Sequence, residues 1–579
     1  MKASETSLRN LIEGDKQFKI PLYQRPYSWN KENWENIWDD LMSLYEFTEG
    51  NHFLGSIVTL AIPGTPDGIS PYTVIDGQQR LTTLSLLLLA LRDHLKKNHP
   101  ELAEELHEKY LINKFKRSDA FYKIVPTKSD RDLYQKIVQS QEIDKIELIY
   151  EAYKFFIKNI EEAEQGKHEQ LDSKLDVTKL KTIILERVSL VSITLNENDN
   201  NNPYLIFESL NYKGSPLTQA DLIRNYFFLK ITDESKHDEI YYSLWFPLQE
   251  KFKNVSGEGY LNEMTLAIWQ YLRKDGSPVK LNQIYQTFKQ RFEKNKPDPL
   301  DELKEVKKFA EYYINIRFPD AEKETKLAKW FKRFKRLDFS TCYPLIINLY
   351  HDYATQRIAL SDFEQALRYI ESYFVRRLLC GMPSNALDKV FINLYQQINK
   401  QKDRQDSSDL VRNLCTILLN LQRSQLWPDD NLLTERIIGE NVYSIRRKDR
   451  IKLILESLAE HLSKEQVNPE NLSIEHIMPQ KLTNEWQDMI GANAKDLHNR
   501  WLHTLGNLTL TAYNAEQSNK PFTQKRIYLD DSNFALNKYF REINAWNADE
   551  IELRAKHLAK IAIEVWPRPE ASDSNEYLF

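Results

Sequence analysis

Short apolar runs and longer amphipathic stretches alternate along the chain and predict where its strands and helices lie. Near the N-terminus, β-forming residues at 53–60 and 72–75 predict two strands. The apolar stretch that begins at Gln78 predicts a helix directly after the second strand, and residues 188–195 predict a further strand. This part of the sequence therefore predicts a small α+β module.

The middle of the chain, residues 235–430, shows only helical periodicity. One stretch repeats apolar residues at three- and four-residue spacing, which places them on one face of a helix. These residues are Leu327, Trp330, Phe331, Phe334 and Leu337. Short β-forming runs return at 472–477 and 508–511, between helices. The whole pattern predicts a mainly α protein with two small α+β modules, divided at residues 1–234, 235–430 and 431–579.

Composition excludes several classes of protein. The 579 residues are 41% apolar, which excludes a disordered chain, and 15 glycines favour long helices over a turn-rich β protein. A net charge of −5 excludes a uniformly basic nucleic-acid coat. The three cysteines lie far apart, which argues against a disulfide framework or a cysteine-built zinc site. The longest apolar run, 84–91, is shorter than the ~20 residues of a membrane span, so we expect a soluble, cytoplasmic protein without a signal peptide.

The C-terminal segment 473–525 holds the most informative set of chemical groups. Glu475 and His476 stand together at a predicted strand end, and Asn507 lies in the turn before the next strand. A helix bearing Asn514 and Asn519 follows. An acid next to histidine, a turn asparagine and then a helix is the pattern of a ββα-metal nuclease. There an imidazole takes a proton from water, and oxygen ligands suit Mg²⁺ or Mn²⁺.

A plainer interpretation makes His476 a hydrogen-bonded structural histidine and the asparagines turn residues. The ordered combination favours the nuclease site, because a motif gains weight from its context. Both Asn514 and Asn519 fit the third position of the pattern, and no histidine stands there. Lys525 on the following helix is a candidate phosphate contact or a solvated lysine.

The N-terminal string Asp76-Gly77-Gln78-Gln79-Arg80 predicts a strand end, a tight turn and a helix start. Such a turn aims backbone N–H groups and the helix dipole at one point, which can hold an anion. The guanidinium groups of Arg25 and Arg80 can form bidentate, charge-assisted hydrogen bonds to a phosphate. Asp76 can hold a metal or a ribose hydroxyl. A plain capped helix fits this string equally well.

Basic residues cluster in two further places. Residues 326–336 carry six Lys and Arg residues around the apolar face, and there a solvated helix face is favoured over DNA binding. The cluster Arg446-Arg447-Lys448 and Arg450 lies just before the nuclease pattern, and there contact with the DNA backbone is favoured.

The strings EHIMPQ, LGNLTLTAYN and SNKPFTQK resemble the HNH nuclease domain of the GmrSD-type, modification-dependent (type IV) restriction enzymes. The strings IPLYQRPYSW, DGQQRLTT and FESLNYKGSPLTQADLIRNYFF resemble the N-terminal domain of the same family. That domain is similar to the ParB/sulfiredoxin fold and is associated with nucleotide binding and hydrolysis. The resemblance covers roughly residues 1–230 and 431–565, and the helical middle lies outside it.

The resemblance implies a role for each matching residue. His476 would be the general base and Asn507 the structural asparagine of the catalytic site. The implied metal ligands are Glu475, Asn514 and Asn519. The implied nucleotide-binding residues are Tyr23, Gln24, Arg25, Asp76, Gly77, Gln78, Gln79 and Arg80. The DNA-binding residues predicted here are Arg446, Arg447, Lys448 and Lys525.

The resulting hypothesis is a nucleotide-regulated, Mg²⁺- or Mn²⁺-dependent HNH endonuclease with NTPase activity. It would cleave modified double-stranded phage DNA, such as DNA with glucosylated hydroxymethylcytosine, in antiviral defence. Regulation would act within one chain or within a homodimer. Two alternatives remain open: a nucleotide-dependent DNA-binding regulator with a degenerate HNH domain, and a nuclease toxin acting on unmodified DNA or RNA.

Overall fold

The protein is mainly helical, with 66% helix and 10% strand, as its sequence predicts. The computed structural model describes residues 2–21, 24–46, 50–62, 68–167, 171, 173–196, 218–231, 233, 236–400, 408–444, 448–463, 472–512, 518–532 and 534–569. The chain forms two compact units, one of residues 1–249 with 289–303 and one of residues 250–288 with 304–579. The three-domain division at 234 and 430 stays a prediction.

The first unit is built on a mixed sheet with helices around it. Its described elements are, in chain order, β1 Lys2–Ser7, α1 Leu8–Ile12, β2 Lys16–Lys19, α2 Lys31–Glu46, β3 His52–Ala61, β4 Ser70–Asp76, α3 Gln78–Leu95, α4 Pro100–Leu106, β5 Ile124–Val125, α5 Lys128–Val138, α6 Leu148–Glu164, α7 Val177–Thr182, β6 Val188–Asn196 and α8 Gln219–Lys230. The strand order is β1-β6-β3-β4-β2-β5. Strand β2 runs parallel to both β4 and β5, whereas β3 and β4 are antiparallel. The strands predicted at 53–60, 72–75 and 188–195 are confirmed as β3, β4 and β6.

Helix α3 forms the centre of this unit. Every residue from Leu84 to Leu91 is buried. A helix that is apolar on all sides belongs in a core, because no face of it gains from contact with water. The apolar run that was too short for a membrane span therefore serves as the core of the first unit.

Helices follow one another through the middle of the chain, as predicted. They are α9 His237–Ile240, α10 Phe246–Ser256, α11 Tyr260–Arg273, α12 Ile284–Asn295, α13 Pro299–Arg317, α14 Thr325–Leu337, α15 Tyr343–Ala354, α16 Leu360–Leu379, α17 Leu387–Lys400 and α18 Ser408–Leu419. On α14, the side chains of Leu327, Phe331, Phe334 and Leu337 are buried, which confirms the predicted apolar face.

The basic residues of α14 form ion pairs within the second unit. Arg333 binds both carboxylate oxygens of Glu371 on α16, at 2.8 and 2.6 Å. Arg336 forms a pair with Glu456, 3.1 Å from Nη2 to Oε1. Lys332 contacts Asp320 at 2.7 Å. The cations at 326–336 therefore include contacts that hold this unit together.

The C-terminal part of the chain contains a second, smaller sheet. Its elements are α19 Asp430–Gly439, α20 Lys448–Leu462, β7 Ser473–His476, α21 Asn484–Ile490, α22 Ala494–Trp501, β8 Leu508–Thr511, α23 Phe522–Asp530 and α24 Ala548–Val565. Strands β7 and β8 pair antiparallel and match the predicted β-forming runs. None of the helices in the described residues combines the length and apolar character that crossing a bilayer requires.

Candidate active site

Strands β7 and β8 and helix α23 bring the C-terminal motif residues together. In the antiparallel register, Glu475 lies opposite Thr509 and His476 opposite Leu508. Helix α23 follows β8 and supplies Lys525 to the same place. Asn514 lies outside the described residues. Asn519 is half-buried in the turn before α23, so the prediction that it stands on the helix is wrong. The order of strand, strand and helix is the one that the motif spacing predicts.

His476 lies at the end of β7, almost completely buried, next to a second histidine. Its Nε2 atom is 3.1 Å from Nδ1 of His503. The ring of Tyr443 meets His476 edge-on, with centroids 4.6 Å apart, and stacks on His503 at 5.4 Å. Burial, together with the nearby charges of His503 and Lys525, lowers the pKa of His476 to about 3. The imidazole is therefore neutral near pH 7, and in this environment it is a weaker proton acceptor than a histidine whose pKa lies near 7.

Asn507 holds the chain that follows His476. Its Oδ1 accepts hydrogen bonds from the Met478 amide at 2.7 Å and from the Trp546 indole at 3.0 Å. Its Nδ2 donates to the carbonyls of Met478 and Leu502, both at 2.9 Å. Because these four bonds occupy both donors and both acceptor positions of the amide, the Asn507 side chain cannot also bind a substrate. Asn507 thus fixes the backbone next to His476.

Glu475 and Lys525 form a buried ion pair beneath the histidine. Both residues are buried, and Lys525 also donates to the carbonyl of His476 at 2.8 Å. Burial raises the pKa of Glu475, and the charge of Lys525 opposes that rise. A contact with DNA requires a side chain at the surface, whereas that of Lys525 is fully enclosed. This position changes the interpretation of Lys525 from a phosphate contact to a support of β7.

The donors around His476 do not fit a divalent cation as they are arranged here. Within the described ranges, no three His, Cys, Asp or Glu side chains converge on one point. The carboxylate of Glu475 is neutralised by Lys525, and a cation placed there would meet the ammonium group. The amide of Asn507 is fully engaged in the fold. Of the metal ligands that the resemblance implies, only Asn519 has no such conflict in the described residues.

The N-terminal string forms the predicted strand, turn and helix. Strand β4 ends at Asp76, and Gly77 takes the left-handed conformation, with φ of 86°, before α3 begins at Gln78. A Cβ atom at Gly77 would lie 2.7 Å from the carbonyl oxygen of Ser56, so only glycine fits. The first backbone N–H groups of α3 have no acceptor within the helix, because a helix always begins this way.

The side chains around this turn connect three segments of the first unit. Gln24 donates to the carbonyl of Ile75 at 2.8 Å, and Arg80 donates to that of Ser56 at 2.8 Å. Gln79 accepts from the Ser28 amide at 2.8 Å and donates to the carbonyl of Pro26 at 3.1 Å.

Burial raises the pKa of Asp76, opposed by its Gly77 hydrogen bond and the charges of Arg80 and Arg25. Gln78 is buried at the same turn, and Tyr23 lies outside the described residues. The structure thus brings together the predicted nucleotide-binding residues that it describes, at the carboxyl end of β4.

Two family models match the chain over these two regions. The model described as GmrSD restriction endonuclease, N-terminal domain, matches residues 8–228. The model described as GmrSD restriction endonucleases, C-terminal domain, matches residues 427–561. The chain belongs to the GmrSD restriction endonuclease family. It therefore carries the domains of a DNA endonuclease. No curated protein sequence matches it.

The remaining predicted DNA-binding residues of this GmrSD chain stand before His476 and His503 in sequence. Lys448 is exposed at the start of α20, whereas Arg446 and Arg447 lie outside the described residues. Arg450 contacts Asp338 at 2.7 Å. On α8, Asp221 and Arg224 form a buried ion pair at 3.0 Å.

His503 and Tyr443 are members of the GmrSD site that the sequence analysis missed. The segment 441–443 is fixed to this place because the amides of Val442 and Tyr443 donate to the carbonyl of His503, at 3.1 and 3.3 Å. The sequence contains one indication of His503, because this histidine stands four positions before the motif residue Asn507 in the string HTLGN. For Tyr443, 33 positions before His476 in sequence, no local pattern indicates the contact.

Proposed function

We propose that this GmrSD-family chain is an HNH endonuclease that cuts modified DNA, such as DNA with glucosylated hydroxymethylcytosine, in defence against phage. The observation that supports this best is the place of His476 at the end of β7, where the cross-loop bonds of Asn507 fix the chain that follows it. A neutral imidazole can take the proton of an attacking water molecule, which contributes about 10²–10⁴-fold to a rate.

We also propose that a nucleoside triphosphate binds and is hydrolysed at the Asp76–Arg80 turn, and that binding activates cutting. The N–H groups at the start of α3, which have no acceptor within the helix, suit a phosphate, and Arg25 and Arg80 add positive charge beside Asp76. Nucleotide binding can change the nuclease only if it favours one of two conformations.

Dependence on Mg²⁺ or Mn²⁺ is a further part of this proposal and comes from the family resemblance. Such a cation would stabilise negative charge on the phosphate and on the leaving oxygen. The residues of this chain contribute the proton acceptor, His476, and the rigid loop around Asn507.

The deciding experiment compares cleavage of glucosylated phage DNA with cleavage of the same DNA without modification, for wild type and for His476→Ala. We expect wild type to cut the modified DNA faster than the unmodified DNA. His476→Ala should cut the modified DNA at least about 10²-fold more slowly than wild type. His461→Ala is the matched control, because the only hydrogen-bond partner of the His461 side chain among the described residues is Glu564. A His476→Ala variant within threefold of wild type would contradict the assignment.

A DNA-binding regulator with a degenerate HNH domain is the second candidate. The ion pair between Glu475 and Lys525 favours it, because a paired carboxylate is a poor cation ligand. Tight binding of modified DNA without any cleavage in Mg²⁺ or Mn²⁺ would support the regulator. Equal cleavage of modified and unmodified DNA would support a nuclease toxin.

A further inference from the structure

A cleft opens at one end of the sheet in the first unit, away from the Asp76–Gly77 turn. Strands β2, β4 and β5 are parallel, and Asp76 lies at their carboxyl ends. Gln17 on β2 donates to the carbonyls of Asp119 and Tyr122, at 2.5 and 3.0 Å, which places the turn before β5 at the amino ends. The space beside this turn measures about 740 Å³. We call it the amino-end cleft.

The lining of the amino-end cleft combines aromatic rings with groups that form hydrogen bonds. The main lining residues are Arg117, Asp119, Phe121, Tyr122, Gln135 and Gln139. The amide of Gln139 donates to the hydroxyl of Tyr122, and that of Gln135 lies 3.4 Å from Oδ1 of Asp119.

The cleft lining is net positive, because Asp119 is already paired with Arg131 at 3.2 Å and both Lys116 and Arg117 line the space. The space is an open depression and not an enclosed cavity, with a volume in the range of about 300–1,000 Å³ that is usual for small-molecule sites. The lining therefore suits a nucleotide, because the cations can contact its phosphate while the aromatic and amide side chains face its flat base, which offers both donors and acceptors.

The residues directly before the lining residues Lys116 and Arg117 in sequence include a feature that points to nucleic acid. Phe115 is 91% exposed, the most exposed large hydrophobic residue in the described part of the chain. It stands between Lys114, which pairs with Glu108, and Lys116, and Arg117 follows. The guanidinium of the exposed Arg117 has no hydrogen-bond or ion-pair partner among the described residues. An exposed ring flanked by cations can stack on a base while the cations contact phosphates.

We propose that the amino-end cleft takes an unstacked nucleotide of the DNA, with Phe115 filling the gap left in the base stack and Arg117 binding a flanking phosphate. Extruded bases are held in such pockets, and apolar side chains commonly take their place in the duplex. This inference rests on the proposed function insofar as DNA is the substrate. It assigns the selection of modified bases to a surface distinct from both the nuclease site and the Asp76–Gly77 turn.

The test uses the full chain with His476→Ala, so that DNA is bound without intended cleavage. Two short duplexes of one sequence carry either cytosine or glucosylated hydroxymethylcytosine, each beside 2-aminopurine, whose fluorescence rises when its neighbour unstacks. Phe115→Ala and Arg117→Gln are compared with Phe53→Ala and Lys145→Gln. Phe53, 59% exposed, and the exposed Lys145 are surface residues of the same unit. Thermal unfolding verifies that each variant is folded.

We expect Phe115→Ala to abolish the fluorescence rise and to weaken binding of the modified duplex about tenfold. Arg117→Gln should weaken binding of both duplexes to a similar extent. It should also reduce the salt dependence of the binding constant by about one released counterion. The two control variants should match the parent. A fluorescence rise and affinity unchanged in both Phe115→Ala and Arg117→Gln would overturn the proposal, as would failure of the parent to bind either duplex.

The outcomes separate this inference from the proposed function. Wild-type cleavage of modified DNA together with unchanged binding by the cleft variants would leave the nuclease proposal standing and refute the cleft. DNA binding that depends on Phe115, without cleavage by wild type, would support the cleft and refute the nuclease.

Discussion

His503 and His476 face each other with 3.1 Å between Nδ1 and Nε2, and only His476 stands in the motif that the sequence analysis selected. His503 is half-buried, and Tyr443 stacks on it. We interpret His503 as a positioning residue that fixes the ring and tautomer of His476.

His503→Ala is therefore expected to reduce DNA cleavage about tenfold, which is the magnitude of one lost hydrogen bond. His503→Asn should recover most of this loss, because its amide can occupy the place of Nδ1. A purely structural role would make both variants equally defective in cleavage and in thermal stability. Single-turnover cleavage and thermal unfolding, with His461→Ala as the control, distinguish the two results.

Removing one partner of the Glu475–Lys525 pair should destabilise the protein by about 3–5 kcal/mol, because the other charge stays buried and uncompensated. Glu475→Gln and Lys525→Met are the single changes, and the double variant should recover much of the loss. Urea unfolding of the four proteins measures the coupling energy. Strictly additive losses would show that the two charges do not depend on each other. Lys481→Met, an exposed lysine of the same unit, is the control.

Chelation with EDTA should stop cleavage, and Mg²⁺ or Mn²⁺ should restore it. Without DNA, however, Mg²⁺ should barely change the unfolding temperature, because Glu475 is already paired with Lys525. Cleavage assays and thermal unfolding at the same cation concentrations test both statements. Full activity after exhaustive chelation would exclude a metal-dependent reaction. A large rise in unfolding temperature would show that the free protein already holds a cation site.

Arg80→Ala should lose nucleotide binding and, with it, the activation of cleavage by nucleotide. The change removes a charge beside Asp76 and the hydrogen bond to the Ser56 carbonyl. Calorimetric titration of each nucleoside triphosphate into wild type, Arg80→Ala and the surface control Arg9→Ala measures the effect. If Arg80→Ala binds every nucleotide as tightly as wild type, the Asp76–Arg80 segment is a capped core helix and nothing more.

Local composition was sufficient to predict the strands that are rich in β-forming residues, such as β3, β4 and β8. It missed β1, Lys2–Ser7, because that strand is polar and is held by its antiparallel pairing with β6. It also missed β5, because two residues inside a helical region produce no periodic signal. In both cases tertiary pairing decides the structure, and pairing leaves little trace in local sequence.

In the candidate site, too, some residues follow from sequence patterns and others depend on tertiary contacts. His476 and Asn507 follow from a motif with an ordered spacing, and the structure places them side by side. The partner of His476 is 27 positions away, and the partner of Glu475 is 50 positions away. The sequence displays the charge of Lys525 but not its burial, so a surface contact was predicted where the fold has an internal ion pair.

The ion pairs of α14 bear on how this protein can be divided into fragments. Arg333 and Arg336 reach from the helical middle to Ser457 and Glu456 on α20, which lies directly before the nuclease strands. The buried Arg376 binds the carbonyl of Trp566, at the end of the last helix, at 2.6 Å. A fragment that began at residue 431 would expose these carboxylates and carbonyls without their arginines. The helical middle is thus a scaffold for the nuclease and not a spacer, and an expression fragment that retains it should be the more soluble one.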